Sequence, residues 1–157
     1  MIFEKAVGLL KAKGLTVTFA ESCTGGLLAK SVTDVAGASA VFPGSAVTYS
    51  NRIKESVVGV DPETIEKYTE VSHAAAREMA AGAAVVFGAD IAVSVTGYAG
   101  PGGGTENDPA GTVYVGVYAR GRVDSYRFYF ADADRAAVRE LCLSFAAYIT
   151  EVEASRL

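Results

Sequence analysis

Apolar residues recur along the chain at two spacings, and the switch between them sets out the elements. From Ile2 to Lys13, Phe3, Ala6, Val7 and Leu10 fall on one helical face, and Gly14 ends the run. LTVTFA then reads as a buried strand. Leu27, Leu28, Val32 and Val35 mark a second helix expected to stop at Gly37. GSAVTYS reads as another strand, a short helical piece begins at Asn51, and Asp61 caps a further helix with Pro62 at its first position. Ser72 suits the N-cap of an alanine-rich helix ending near Phe87, whose small side chains let it sit close to a sheet.

DIAVSVTG is a β-branched strand that empties into the glycine-rich GYAGPGGGTENDPAG. Two strands follow, Thr112 to Ala119 and Val123 to Phe130, joined by a turn at Arg120-Gly121-Arg122. The last helix carries Val138, Leu141, Cys142, Phe145, Ile149 and Val152 at helical spacing, with Asp134 as its cap. This order of elements predicts an α/β fold: a layered sandwich with helices packed on a mixed β-sheet and a final antiparallel hairpin. No repeat, linker-like run or shift of composition divides residues 1–157, so a single domain is expected.

Composition narrows the classes. A chain of 157 residues can form a core without disulfides or a structural metal. The longest apolar stretch, Met79 to Ala89, falls short of the roughly 20 residues that a bilayer span needs. Glu4 and Lys5 interrupt what would be a signal core, so a cytoplasmic location is expected. Cys23 and Cys142 form no C-x-x-C pair and are too few for a disulfide framework or a zinc cage, and His73 is the only histidine, which excludes a multi-histidine metal centre. A net charge of −4 with scattered basic residues disfavours nucleic acid.

Two loops follow strands in the positions where open α/β sheets bind ligands: Glu21 to Gly26 in ESCTGG, and Thr96 to Gly111. Their glycines, including Gly25, Gly26, Gly97 and Gly100, allow close backbone approach to an anion, although neither loop carries a phosphate or dinucleotide fingerprint. Ordinary turns capped by Ser22 or Thr24 are the plainer reading. Arg135 lies in the first turn of the last helix, where the dipole disfavours a cation, so it either serves a bound anion or pairs with Asp132 or Asp134. Cys23, Ser22, Ser39, Ser45 and Ser50 are the candidate nucleophiles, and each needs a base. His73 suits a surface or capping role better. A buried lysine can serve as a neutral base, and Lys54, behind Tyr49, Ser50 and Asn51, is the candidate. By default a lysine is exposed, and a free cysteine such as Cys23 is a small buried apolar residue.

Taken together, AESCTGG, GASAVFPGSAVTYSNRIK, VSVTGYAGPGGGTENDPAGTVYVGV and ADADRAAVRE resemble the CinA C-terminal domain family, the nicotinamide-nucleotide amidohydrolases. The resemblance runs through nearly the whole chain and looks like the stand-alone form, without the larger proteins' molybdopterin-binding-like domain. It implies hydrolysis of the carboxamide of nicotinamide mononucleotide to nicotinic acid mononucleotide and ammonia, in pyridine nucleotide recycling. It implies no cofactor and no metal, a serine and a lysine in place of a histidine triad, and a homo-oligomer, to which the alanine-rich composition also points.

On this sequence the lysine falls on Lys54 and the serine on Ser39, with Ser22 as the competing candidate; Tyr49 and Arg135 also match positions the family uses. Tyr98 stands where an aliphatic residue is more usual. In this reading Lys54 takes the serine proton, and Tyr49 with backbone amides beside Ser22 or Gly97 meets the oxyanion. Arg135 and the Thr24 to Gly26 turn hold the phosphate, while Glu21 orients a ribose hydroxyl or a lysine. Thr96, Gly97 and Gly100 complete the expected substrate-binding set. Two rival readings are a non-catalytic nucleotide-binding module and a hydrolase that uses the Cys23 thiol.

Overall fold

The apolar strands assemble into one five-stranded sheet. The computed structural model describes residues 1–157, with β1 at Val17–Glu21, β2 at Ala46–Val47, β3 at Ile91–Gly97, β4 at Thr112–Ala119 and β5 at Arg122–Tyr129. Their order across the sheet is β2-β1-β3-β4-β5. The β2, β1 and β3 strands run parallel, and β4 and β5 continue antiparallel, so the sheet is mixed. The central strands are buried on both faces, which accounts for their continuous apolar runs. The edge strand β5 is partly or fully exposed along its whole length.

Helices cover both faces. They are α1 (Glu4–Lys13), α2 (Leu27–Thr33), α3 (Asn51–Val58), α4 (Pro62–Tyr68), α5 (His73–Phe87) and α6 (Arg135–Arg156). The larger core joins Phe3 at the N-cap of α1, Val7 and Leu10 of α1, and Val138, Cys142 and Ala146 of α6 to Phe19, Val93 and Val115 of the sheet. On the opposite face Met79, Ala83 and Ala84 of α5 meet Val58, Ala20 and Ala92. The expected caps form: Ser72 Oγ accepts from the Ala75 amide at 3.1 Å, Asp61 Oδ1 from Glu63 at 2.9 Å, and Asp134 Oδ1 from Ala137 at 2.8 Å. No helix is long and apolar enough to cross a membrane.

The small side chains of α5 allow backbone to approach backbone. A Cβ on Gly116 of β4 would lie 2.0 Å from the Ala76 carbonyl oxygen, and one on Gly82 would lie 1.7 Å from that of Val58. Ser94 Oγ donates to the same Ala76 carbonyl at 2.6 Å and accepts from the Gly116 amide at 3.2 Å, which ties α5 to two strands.

Two boundaries differ from the sequence reading. The second helix ends at Thr33, ahead of Gly37, because the Val35 amide turns back to the Val32 carbonyl and Val35 enters the core. Gly37, at φ +84°, then opens a single 3₁₀ turn over Ala38–Ala40. The GSAVTYS strand is limited to Ala46–Val47, because Ser50 already caps α3 by accepting from the Ile53 amide at 3.3 Å.

Candidate active site

The parallel strands β1 and β3 end beside each other, and the first turn of α3 packs across those ends. Lys54 lies on the inner face of that turn with no exposed surface. Its side-chain nitrogen lies 2.8 Å from the Thr48 carbonyl oxygen, to which it donates, and 3.1 Å from Ser22 Oγ. Burial pushes the Lys54 amine below its usual range, against the opposing pull of the Glu70 carboxylate and of Cys23. A lysine poised toward its neutral form therefore touches a serine hydroxyl.

Both residues line a cleft of about 220 Å³, whose wall also includes Tyr49, Asn51, Glu70, Tyr98 and Arg135. Thr96, Gly97 and Gly100 line it too, as the position of the glycine-rich loop after β3 predicts. Thr96 Oγ1 donates to the Glu70 carbonyl at 2.7 Å, fixing the loop before α5 against β3. Arg135 pairs with neither Asp132 nor Asp134: its guanidinium donates to the Gly100 carbonyl at 2.9 Å and to the Tyr49 hydroxyl at 3.0 Å. It thus brings a guanidinium that no carboxylate pairs with to the cleft wall.

Ser39 does not join this group. It is exposed on the 3₁₀ turn and lines a separate depression with Thr33, Gly37 and Phe42. The structure brings Ser22, and not Ser39, to Lys54, because the strand-to-helix turn after β1 sits beside α3 whereas residues 38–40 lie beyond α2.

Glu21 departs from its expected role. It is fully buried, and its carboxylate accepts from the amides of Gly26 at 3.0 Å, Leu28 at 3.0 Å and Ala29 at 2.9 Å. It caps α2 and faces no ligand. Those are the amides that an anion at this turn would need, so Thr24, Gly25 and Gly26 lie outside the cleft wall and offer no phosphate cradle. The Thr24 carbonyl accepts from Arg139 at 2.9 Å, and its hydroxyl is buried without a partner. Similarly, the Ser22 amide already donates to the Val95 carbonyl at 2.9 Å. The Cys23 amide, next in the chain, donates to no backbone carbonyl.

Cys23 lines the cleft and is buried, as is Cys142 of α6, and the influence of each thiol on the other holds Cys23 low and Cys142 high relative to an ordinary thiol. His73 opens α5, with Nδ1 2.8 Å from Ser125 Oγ and its ring edge-on to Tyr114, away from the serine-lysine pair. Nowhere do three or more His, Cys, Asp or Glu side chains converge to hold a metal ion. Sequence reading did not single out Glu70 or Asn51. Their only signals are positional, Glu70 two residues before a cap and Asn51 one residue after one.

Residues 2–152 match the CinA C-terminal domain. The chain belongs to this family. The CinA assignment agrees with a solved structure of a CinA superfamily protein from Klebsiella pneumoniae, which superposes with a TM-score of 0.94 at 35% identity over 99% of this chain and 97% of that one. A nicotinamide-nucleotide amidohydrolase PncC of Enterobacter agglomerans is 52% identical over 131 residues, 83% of this chain and 79% of that protein. A CinA-like protein of Chlorobaculum tepidum is 52% identical over 130 residues, 80% of this chain but 31% of its own length. Of several such curated CinA relatives the chain therefore spans about a third.

Proposed function

We propose that this CinA domain hydrolyses the carboxamide of nicotinamide mononucleotide with Ser22 as nucleophile and Lys54 as its base. The observation that carries the reading is the fully buried Lys54 nitrogen 3.1 Å from Ser22 Oγ. The name of the Enterobacter agglomerans relative, a nicotinamide-nucleotide amidohydrolase, supports the substrate class.

In the first step the Ser22 O–H proton passes to the neutral Lys54 amine as Oγ bonds to the amide carbon. The C–N bond then breaks, and the lysinium returns that proton to the departing nitrogen, which leaves as ammonia. Water repeats the sequence: it gives a proton to Lys54, its oxygen bonds to the acyl carbon, and Ser22 leaves with the proton restored. The Cys23 amide, bonded to no backbone carbonyl and adjacent to the nucleophile in the chain, is the backbone donor to the oxyanion. Arg135, held on Gly100 and Tyr49, meets the 5′-phosphate as a charge-assisted donor.

The test is ammonia release from nicotinamide mononucleotide by the purified protein and three variants. Ser22→Ala and Lys54→Ala should each lower kcat by roughly three orders of magnitude or more. Ser39→Ala should stay within about twofold, as expected of a surface position. Loss in Ser39→Ala with retention in Ser22→Ala would reverse the assignment. Binding without any release by the unmodified protein would favour the non-catalytic module.

A further inference from the structure

One charged group in the cleft has no role in the hydrolysis above. Glu70 is half-buried and lines the wall, yet its carboxylate makes no hydrogen bond and no ion pair within the chain. Its influence reaches Lys54, whose charged form it favours, and Tyr98, whose ionisation it opposes. The backbone places it there deliberately. Thr69, the C-cap of α4, has φ +69° and ψ +167°, a region that a non-glycine residue adopts only under strain. Ser72 Oγ donates to the Thr69 carbonyl at 2.9 Å, and Thr96 Oγ1 to the Glu70 carbonyl, so the strained turn is pinned on both sides of the peptide that carries the carboxylate.

The cleft wall therefore carries two opposite charges together with the serine-lysine pair, the Arg135 guanidinium and the Glu70 carboxylate, and neither forms an ion pair within the chain. A nicotinamide mononucleotide has the complementary pattern, with a dianionic phosphate at one end and a cationic pyridinium ring at the other. Free nicotinamide has neither charge.

Resting on the reading of the site given above, we infer that Glu70 is the specificity-determining residue for the cationic pyridinium ring. Tyr98 supplies an aromatic wall beside it, and a cation next to an aromatic face gains further attraction. The same carboxylate discriminates against product. Hydrolysis converts the neutral carboxamide into a carboxylate, and Glu70 then repels the group that has just formed, which speeds release. An uncharged amide wall would do neither.

The experiment compares two ligands that differ in ring charge. They are nicotinamide mononucleotide and benzamide riboside 5′-phosphate, which keeps the phosphate, ribose and carboxamide on a neutral ring. Dissociation constants are measured by titration calorimetry in Ser22→Ala protein, where neither is turned over, with and without Glu70→Gln. The expected result is about a tenfold weaker affinity for the cationic nucleotide, the size of one partly screened charge pair, and less than about a twofold change for the neutral one. Glu70→Asp, which keeps the charge, should restore most of the difference. Equal losses for both ligands would overturn the inference, because Glu70 would then be contacting the shared ribose or carboxamide; so would no change for either. Ammonia release by the unmodified protein alongside such ligand-independent effects would sink this inference alone. Failure of that protein to release ammonia would overturn the parent reading.

Discussion

The Lys54 side-chain nitrogen is held between two oxygens, 3.1 Å from the Ser22 hydroxyl and 2.8 Å from the Thr48 carbonyl, with the lysine wholly out of water. The Thr48 carbonyl takes one N–H. A neutral amine in that position directs its lone pair at the serine, whereas a lysinium would bury a charge with no carboxylate bonded to it. The arrangement favours the form that can accept a proton.

That preference fixes the direction of the pH dependence. Burial lowers the Lys54 pKa in the folded protein, so the reactive neutral amine is present above that value and is lost as pH falls through it. The profile of kcat/KM should rise with pH and level off at a pH below the usual lysine range. Because Glu70 favours the charged lysine, Glu70→Gln should move the acidic limb to lower pH. Lys54→Arg, charged throughout, should be inactive along the whole profile. A limb that moves to higher pH in Glu70→Gln would contradict the assignment of Lys54 as the titrating base.

Glu21 should prove structural. Its carboxylate satisfies three amides at the start of α2, and hydrogen bonds to a charged acceptor contribute about 1.5–3 kcal/mol. Glu21→Gln retains shape but loses the charge and one acceptor oxygen, so urea denaturation should show a stability loss of about 2 kcal/mol. Activity should fall through misplacement of the neighbouring Ser22, as a drop in kcat with KM little changed. A large rise in KM at unchanged stability would restore Glu21 to the list of substrate contacts.

Arg135 should act on the phosphate alone. Arg135→Ala should raise KM for the mononucleotide by about ten- to a hundredfold, the size of one or two charge-assisted hydrogen bonds, and leave kinetics on the riboside unchanged. Arg135→Lys should recover only part of the loss, since a single compact ammonium lacks the guanidinium fork that holds Gly100 and Tyr49 while still facing a phosphate. Steady-state kinetics on the two substrates decide it.

Local chemistry was legible in the sequence wherever one residue type determines one geometry. Ser72, Asp61 with Pro62, and Asp134 cap helices as their hydroxyls and carboxylates require, and the apolar stripe from Phe3 to Leu10 faces the core. Arg135 was likewise visible as a cation in an unfavourable position, and Lys54 as a candidate base, although nothing in the pattern marked it as buried. What stayed hidden depends on the third dimension. Ser22 and Lys54 are 32 residues apart and meet only because β1 and α3 end on the same edge of the sheet, whereas Ser39 is nearer to Lys54 in sequence and points elsewhere. The ESCTGG turn has the composition of an anion site, but a carboxylate from its own first residue fills it. Glu70 escaped notice because a lone glutamate between two short helices looks like any solvated surface residue.

The glycines at 82 and 116 turn residue size into a ruler for the reaction centre. Helix α5 meets peptide groups at both positions, so its distances from β4 and from the end of α3 are set by backbone van der Waals radii and cannot be retuned by repacking side chains. The loop bearing Glu70 hangs from the start of that helix. A single methyl group at either glycine would lift one side of the cleft away from Ser22, and two of the least replaceable positions in the chain are thus ones that no substrate ever touches.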